Sequence, residues 1–269
     1  MKMTRIFAAA IAALGFAGTA AAFEGEQHAP HEHHWHHDGP FGTYDRQALQ
    51  RGYQVYQEVC ASCHSMDLMR FRNLGQRGGP FESEAFPNPN DNPIVMQIAQ
   101  SYTRVWSDDE FNDDGDPVER AGVPSDPFPA PFPNDQMARA SNGGAMPPDL
   151  TLIVKARSHG ENYIYSLLTG YEEPPADVTL SPGQHYNPYF PGGKLAMAAP
   201  LADGILEYAD GTEATAEQMA EDVTTFLSWA GDPHMEARKQ MGVMVLIYLL
   251  IFAILVYLAY RQVWANVKH

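Results

Sequence analysis

Apolar residues at helical spacing mark the first structured part of the chain. Leu49, Tyr53, Tyr56 and Cys60 recur at intervals of three or four residues, which is the spacing of one face of an α-helix. Asp45 precedes this pattern, and an aspartate in that position caps the first turn by accepting a backbone N–H. The pattern predicts a helix that follows Asp45, buries both tyrosines and ends at Cys60.

The same spacing predicts two further helices. One covers 94–105, where apolar residues stand at 94, 98, 102 and 105. The other begins with the capping-box sequence Thr215-Ala216-Glu217-Gln218 and carries an apolar stripe at 219, 223, 226, 227 and 230. Gly231 is typical of a residue that ends such a helix. Asp232-Pro233 would then cap and begin a last helix, which runs towards the C terminus.

That last helix contains a long apolar stretch. Gly242 to Tyr260 is nineteen residues without a charge, and at 1.5 Å per residue it covers roughly 28 Å, close to the thickness of the hydrocarbon layer. A buried core helix is the alternative, but such helices are rarely apolar on every side over this length. We therefore predict a C-terminal helical segment, 233–269, with a transmembrane anchor at 242–260.

The N-terminal residues have the features of an export signal. A short basic start with Lys2 and Arg5 precedes an apolar run from Ile6 to Ala17, and an A-x-A sequence follows at 20–22. The apolar run is too short to span a bilayer. We therefore expect a cleaved signal at 1–22, a periplasmic domain at 23–232, and a single pass through the bacterial cytoplasmic membrane with the C terminus in the cytoplasm. The basic flanks of the anchor are balanced and do not orient it.

Three stretches between these elements are predicted to lack regular structure. Val123–Asn134 holds five prolines, which favours an extended, polyproline-like path. The acidic run 108–119 predicts a solvated loop. Six histidines lie within 24–37; they predict a solvated N-terminal arm, with a zinc or copper site as the alternative. Since strand patterns are sparse, the expected fold is mainly α, with long Pro/Gly-rich loops.

The charge balance narrows the choice of partners. The chain carries 33 acidic and 17 basic residues, a net charge of −16 that becomes −18 when Lys2 and Arg5 leave with the signal. Such a surface repels nucleic acid and anionic lipid and attracts a basic protein. The expected partners are therefore a basic protein and, for the anchor, membrane lipid.

Cys60-Ala61-Ser62-Cys63-His64 is a C-x-x-C-H sequence, and it contains both cysteines of the chain. This spacing is typical of covalent attachment of haem c, in which each thiol bonds one vinyl group and the histidine binds the iron. A redox C-x-x-C pair or half of a zinc site is the alternative, but a cysteine-rich zinc site needs further cysteines. The motif predicts one haem c, held by Cys60 and Cys63, with His64 as an axial ligand.

The second axial ligand decides whether the iron is closed or open to small molecules. Methionines in the signal, next to the motif or near the anchor are badly placed to bind it. Met197 lies in a Gly- and Pro-flanked loop at 192–201, and Met146 directly precedes Pro147-Pro148. Once the badly placed methionines are set aside, four remain: Met96, Met137, Met146 and Met197. Among them, the spacing favours Met197 and leaves Met146 as its competitor.

Six runs of the sequence resemble the cytochrome c1 family, the haem subunits of ubiquinol–cytochrome c reductase, in a bacterial form. They occur in the family's order and are followed by one C-terminal anchor. The runs are CASCHSM (60–66), DPFPAPFPN (126–134), RASNGGAMPPDLTL (139–152), YIYSLLTGY (163–171), YNPYFPG (186–192) and MAAPL (197–201).

The resemblance implies a cytochrome c-like haem domain and specific roles for its residues. It implies that Met197 binds the iron, that the Met146 position is commonly Leu, and that Arg139 meets a haem propionate. The chain departs from the family in having no cysteines beyond the haem pair, so no disulfide can brace the Met197 loop. We also expect the carbonyl of Pro147 or Pro148 to accept the free ring N–H of His64.

The implied function is one-electron transfer from a Rieske iron–sulfur subunit to a basic cytochrome c, in a complex with a cytochrome b subunit. The chain itself would break no substrate bond. A stand-alone anchored cytochrome that serves an oxidase or a photosynthetic reaction centre is one alternative. A c-type haem peroxidase is another, but it usually needs an open iron or a second haem motif, and the chain has one C-x-x-C-H sequence.

Overall fold

A computed structural model describes residues 27–102, 105–111, 113, 115 and 117–266. The predicted signal at 1–22 lies outside these residues. The fold is mainly α, as predicted, with two small antiparallel sheets, β1–β2 and β3–β4. The helices are α1 (Arg46–Glu58), α2 (Phe71–Leu74), α3 (Pro93–Ser101), α4 (Asp135–Ser141), α5 (Gly160–Thr169), α6 (Ala216–Gly231) and α7 (Met235–Trp264), and the strands are β1 (Val105–Phe111), β2 (Pro117–Arg120), β3 (His185–Tyr186) and β4 (Lys194–Leu195).

Helices α1 and α6 form the centre of the core. The carboxylate of Asp45 caps α1, and Tyr53 and Tyr56 are buried on it as predicted. Gly52 lets α6 approach closely, because a Cβ there would lie 2.0 Å from the carbonyl oxygen of Asp222. The buried carboxylate of Asp222 accepts two bonds from the guanidinium of Arg51, both at 2.9 Å. This pairing leaves neither charge uncompensated in the core.

The end of α6 differs from the prediction. Thr215 caps the helix as expected, accepting the N–H of Gln218 at 3.1 Å. Asp232, however, does not begin the next helix, because its own N–H still bonds the carbonyls of Ser228 and Trp229. It therefore closes α6, and α7 begins at Met235 after a short turn.

The segment after α3 also differs from the prediction. Asn92 caps α3 and Pro93 is its first residue, but the helix ends at Ser101 and not at 105. The chain then forms β1, which pairs with β2 where a solvated loop was expected. Helical spacing could not reveal this hairpin, since a strand is fixed by its bonds to a partner strand. The acidic side chains at 108–110, 114, 116 and 119 lie outside the described part.

The proline-rich stretch contains no helix or strand between 123 and 134, as predicted, but it turns at 124–125 and bends at 131–134, so it is not extended throughout. It lies along α2 and accepts backbone bonds from it: the N–H of Arg72 bonds the carbonyl of Pro124 at 2.7 Å. Phe128 is buried between Tyr56 and Phe71. The stretch therefore closes one side of the core.

The histidine-rich arm is not solvated throughout, which corrects the prediction. Trp35 and His37 are buried, whereas the alternate residues His34 and His36 are exposed. The indole N–H of Trp35 donates to Asn162 on α5 at 2.8 Å. The arm is thus an extended segment with one face against the body. Among the described residues, no group of three or more His, Cys, Asp or Glu side chains is arranged to hold a metal ion.

Helix α7 is long and apolar enough to cross a membrane. It has 30 residues, its most apolar window has a mean hydropathy of 2.8, and none of that window is buried against the rest of the protein. A helix of this length spans roughly 45 Å, more than the hydrocarbon layer requires. The predicted anchor 242–260 lies within it.

Candidate haem-binding site

The C-x-x-C-H sequence folds as a tight turn directly after α1. Cys60–Ser62 is a 3₁₀ helix, and the carbonyl of Cys60 accepts the N–H groups of both Cys63 and His64, at 3.1 and 2.9 Å. Side chains three residues apart in such a turn lie one above the other. Both thiols therefore face the same side, which fits two bonds to one porphyrin.

The two cysteines are free and half-buried. Burial, and to a smaller extent the neighbouring Cys63, raise the pKa of the Cys60 thiol to about 12. The described residues offer no group of three or more His, Cys, Asp or Glu side chains that could hold a zinc ion. The donor set, two thiols beside one imidazole, fits a covalently attached haem better than a zinc ion.

His64 is held by the bond that the sequence predicted. Its Nδ1 lies 2.8 Å from the carbonyl oxygen of Pro148, not of Pro147. Since a carbonyl can only accept, Nδ1 carries the proton, and Nε2 is left with a lone pair. Burial lowers the pKa of His64, although the Pro148 bond opposes this shift. The imidazole is therefore neutral and suited to bind iron through Nε2.

The Pro148 carbonyl is in turn fixed by Asp149, a residue that the sequence analysis missed. One carboxylate oxygen of Asp149 accepts the hydroxyl of Ser65 at 3.0 Å and the N–H of Asp67 at 2.7 Å. The other accepts the N–H of Thr151 at 2.8 Å. The sequence signal was an aspartate after two prolines, a position that favours such side-chain-to-backbone turns.

Met197 lies in a loop and is half-buried. The loop follows the small sheet β3–β4, in which each strand has two residues and Tyr186 pairs with Lys194. Its main chain is held from the segment that follows α5, since the hydroxyl of Tyr171 donates to the carbonyl of Met197 at 3.0 Å. Sequence analysis gave Tyr171 no role, because Tyr171 and Met197 are 26 positions apart and local spacing does not reveal such a contact.

The other predicted residues lie on the surface. Arg139 is exposed on α4 and donates to the carbonyl of Gly144 at 3.2 Å. Pro147 is half-buried, and its carbonyl is not the one that His64 contacts. The competing methionines are all exposed: Met96 by 38%, Met137 by 51% and Met146 by 41%. Met66 and Met69, which were set aside, are core residues.

The haem-attachment turn on a helical domain, together with one apolar helix able to span a membrane, defines the class as a membrane-anchored c-type cytochrome. The profile of the cytochrome C1 family matches residues 35–267. The chain belongs to the cytochrome c1 family. As a member it binds covalently attached haem c and takes part in electron transfer within ubiquinol–cytochrome c reductase.

Relatives from bacteria, fungi and plants agree with this assignment. The chain is 46% identical over 272 residues to cytochrome b/c1 of Bradyrhizobium diazoefficiens, a match that covers 94% of this chain but only 38% of that protein. It is 47% identical over 253 residues to the mitochondrial cytochrome c1 haem protein of Saccharomyces cerevisiae, covering 93% and 77%. It is 45% identical over 258 residues to cytochrome c1-2 of Solanum tuberosum, covering 95% and 93%. The resemblance seen in the sequence is thus confirmed.

Proposed function

We propose that this chain is the haem-bearing electron carrier of a ubiquinol–cytochrome c reductase, with His64 and Met197 as the axial ligands of the iron. The bound haem supplies one reversible one-electron couple. The observation that carries the proposal is the bond from Nδ1 of His64 to the Pro148 carbonyl, at 2.8 Å. This second-nitrogen bond is typical of a ligating histidine, because it fixes the tautomer and the orientation of the ring.

Met197 completes the ligand pair. A neutral thioether favours the ferrous state and closes the iron to oxygen and peroxide, which suits a carrier better than a peroxidase. The position of the Met197 main chain is set by Tyr171. Met146, its competitor, is exposed. It stands two residues before Pro148, whose carbonyl accepts the ring N–H of His64. We also propose that Arg139, an exposed cation on α4, binds a haem propionate.

The proposed partners follow from the family and the charge. A Rieske iron–sulfur subunit reduces the haem, a cytochrome b subunit lies beside the anchor, and a basic cytochrome c accepts the electron. The net charge of −16 supports the last of these, since complementary charge raises the rate of encounter. The chain breaks no substrate bond itself.

The proposed topology places the haem domain, 23–232, in the periplasm after removal of 1–22. The segment 233–269 then crosses the cytoplasmic membrane of a bacterium, with 242–260 in the bilayer and the C terminus in the cytoplasm. Support comes from the export signal in the sequence and from the exposed apolar surface of α7.

The test is purification of the intact chain from membranes in mild detergent, followed by reduction with ubiquinol. We expect a haem b subunit and an iron–sulfur subunit to co-purify, and haem c reduction to stop when the iron–sulfur subunit is removed. Purification of the chain without either subunit, with reduction by another donor, would instead favour a stand-alone anchored cytochrome. Rapid binding of carbon monoxide or turnover of peroxide would contradict a closed iron.

A further inference from the structure

The described part of the histidine-rich arm begins beside the loop 187–193, which connects β3 to β4. The side-chain amide of Gln27 donates to the carbonyl of Tyr189 at 2.8 Å. The backbone N–H of His28 donates to the carbonyl of Pro188 at 2.9 Å. Two hydrogen bonds therefore join the arm to the main chain of this loop.

The arm also holds the side chain of Tyr189. The ring Nε2 of His31 lies 2.5 Å from the hydroxyl oxygen of Tyr189, and the centroids of the two rings are 5.2 Å apart. The backbone N–H of His31 donates to the hydroxyl of Ser166, a buried residue of α5, at 2.9 Å. His31 is thus fixed on α5 and connects Tyr189 to that helix.

Tyr189 in turn contacts the segment that holds Met197. Its buried ring packs on the backbone of Gly170, where a Cβ would lie 2.3 Å from Cδ2 of the ring, so glycine permits the contact. The next residue, Tyr171, donates its hydroxyl to the carbonyl of Met197 at 3.0 Å. A shift of the Tyr189 ring would therefore move the backbone from which Met197 is held.

A second connection runs through the loop itself. Asn187 is fully buried, and its side-chain amide donates to the carbonyl of Leu167 on α5 at 2.8 Å. Its side-chain oxygen accepts the N–H of Tyr189 at 3.1 Å, and its own N–H donates to the carbonyl of Gly193 at 2.9 Å. Strand β4 follows directly, two residues before Met197. The loop is therefore stiff enough to pass a displacement of Tyr189 to β4.

The other end of the arm is fixed as well. The indole N–H of Trp35 donates to Asn162 at 2.8 Å, and Lys239 of α7 donates to the carbonyl of His37 at 2.6 Å. Ordering a free segment costs conformational entropy for every residue. Because these contacts already order the arm, its bonds to Tyr189 carry little of that cost.

We propose that the arm, through Gln27 and His31, positions the Met197 loop and so strengthens binding of the methionine to the haem iron. This inference rests on the proposed role of Met197 as a ligand. Since both cysteines lie in the C-x-x-C-H sequence, the arm provides by noncovalent contacts the support that a disulfide would give. His31 is a positioning residue, because it acts through Tyr189.

The test compares His31→Ala with the control His34→Ala, both in the full-length, haem-loaded chain. Both side chains are exposed on the same arm. Imidazole is added to the ferric protein, and the far-red band reports displacement of the methionine. A lost hydrogen bond changes an equilibrium constant by a factor of about 2 to 12. Since the loop passes on part of this effect, His31→Ala should need roughly threefold less imidazole, whereas His34→Ala should match the parent.

A double-mutant cycle with Tyr189→Phe tests the route of the effect. Tyr189→Phe removes the hydroxyl but keeps the ring on Gly170, so it breaks the same bond as His31→Ala, and the two effects should not add. Fully additive effects would overturn the inference. An equal change in His34→Ala would overturn it too, as would a fall in the unfolding temperature of His31→Ala without any change in the imidazole concentration.

Met197→Leu separates this inference from the proposed function. If the far-red band survives in Met197→Leu, the ligand assignment is wrong and the role of the arm fails with it. If the band is lost there but His31→Ala and the parent bind imidazole equally, the ligand assignment stands and only the role of the arm fails.

Discussion

The surroundings of His64 and of Met197 are built in different ways. His64 follows α1, which packs on α6 at the centre of the core, and its ring bonds Pro148. The adjoining residues Ser65 and Asp67 are joined to Asp149, and the carbonyl of Ser65 accepts the N–H of Leu150 at 2.9 Å. Met197 lies half-buried in a loop, and the hydroxyl of Tyr171, two residues after the end of α5, donates to its carbonyl.

This difference follows from how the two residues are placed in the sequence. His64 is fixed by its neighbour Cys63 and by the helix before it, so its position is set largely by local structure. Met197, the proposed second ligand, stands 133 residues after His64, so the loop would have to bring it to the haem. With both cysteines used at the haem, rigidity there depends on Tyr171, on glycine turns and on proline. We therefore infer that the Met197 side is the less stable of the two.

The largest effect is expected from Met197→Leu. Axial ligands set haem potentials over roughly 0.8 V in total, so loss of the thioether should lower the reduction potential by something on the order of tenths of a volt. The weak far-red band of ferric haem with a methionine ligand should disappear as well. Potentiometric titration with optical detection measures both, and Met146→Leu is the matched control. Loss of the band in the Met146 variant alone would assign the ligand to Met146.

The second prediction concerns the core beneath His64. In Gly52→Ala, the new Cβ would lie 2.0 Å from a carbonyl oxygen of α6, so the two helices must separate. Overpacking of this kind costs typically about 1–3 kcal/mol. Thermal unfolding of the haem domain should therefore shift to lower temperature. Gly242→Ala on α7, where no atom lies within 4 Å of the added Cβ, should leave the unfolding temperature unchanged; an equal shift would argue against close contact of α1 and α6.

The third prediction concerns the hydrogen bonds that fix Pro148. Asp149→Ala removes the acceptor for Ser65, Asp67 and Thr151, and unsatisfied partners cost about 1–3 kcal/mol. The free energy of unfolding should fall by this amount, while the far-red methionine band stays. Asp177→Ala, at an exposed loop position, is the control. Loss of the methionine band in Asp149→Ala would show that the surroundings of His64 and of Met197 are coupled and not separate.

The smallest effect is expected from Tyr171→Phe, which removes one hydrogen bond to the Met197 carbonyl. Such a bond contributes about 0.5–1.5 kcal/mol, so added imidazole should displace the methionine at a concentration roughly fivefold lower. Titration with imidazole, followed by the far-red band, measures this. The global unfolding temperature should change little. A variant that resists imidazole as well as the parent would mean that Tyr171 does not hold the loop.

Features set by nearby residues were predicted correctly from the sequence. These include the caps at Asp45 and Thr215 and the lack of helix and strand in 123–134. The His64 bond to Pro148, 84 residues away, was instead expected from the chemistry of ligating histidines. The hairpin β1–β2, the packed histidine arm and the roles of Asp149 and Tyr171 were missed. Apart from the hairpin, whose strands are close in sequence, each of these depends on a partner distant in sequence, such as Asn162 for Trp35. Local spacing carries no information about such partners.

The most direct test of the proposed ligand pair is X-ray absorption at the iron edge of the intact chain. The account predicts one sulfur scatterer in the first shell besides nitrogens, which is lost in Met197→Leu and kept in Met146→Leu. A first shell of nitrogen and oxygen alone in the parent protein, or a sulfur that survives in Met197→Leu, would contradict it.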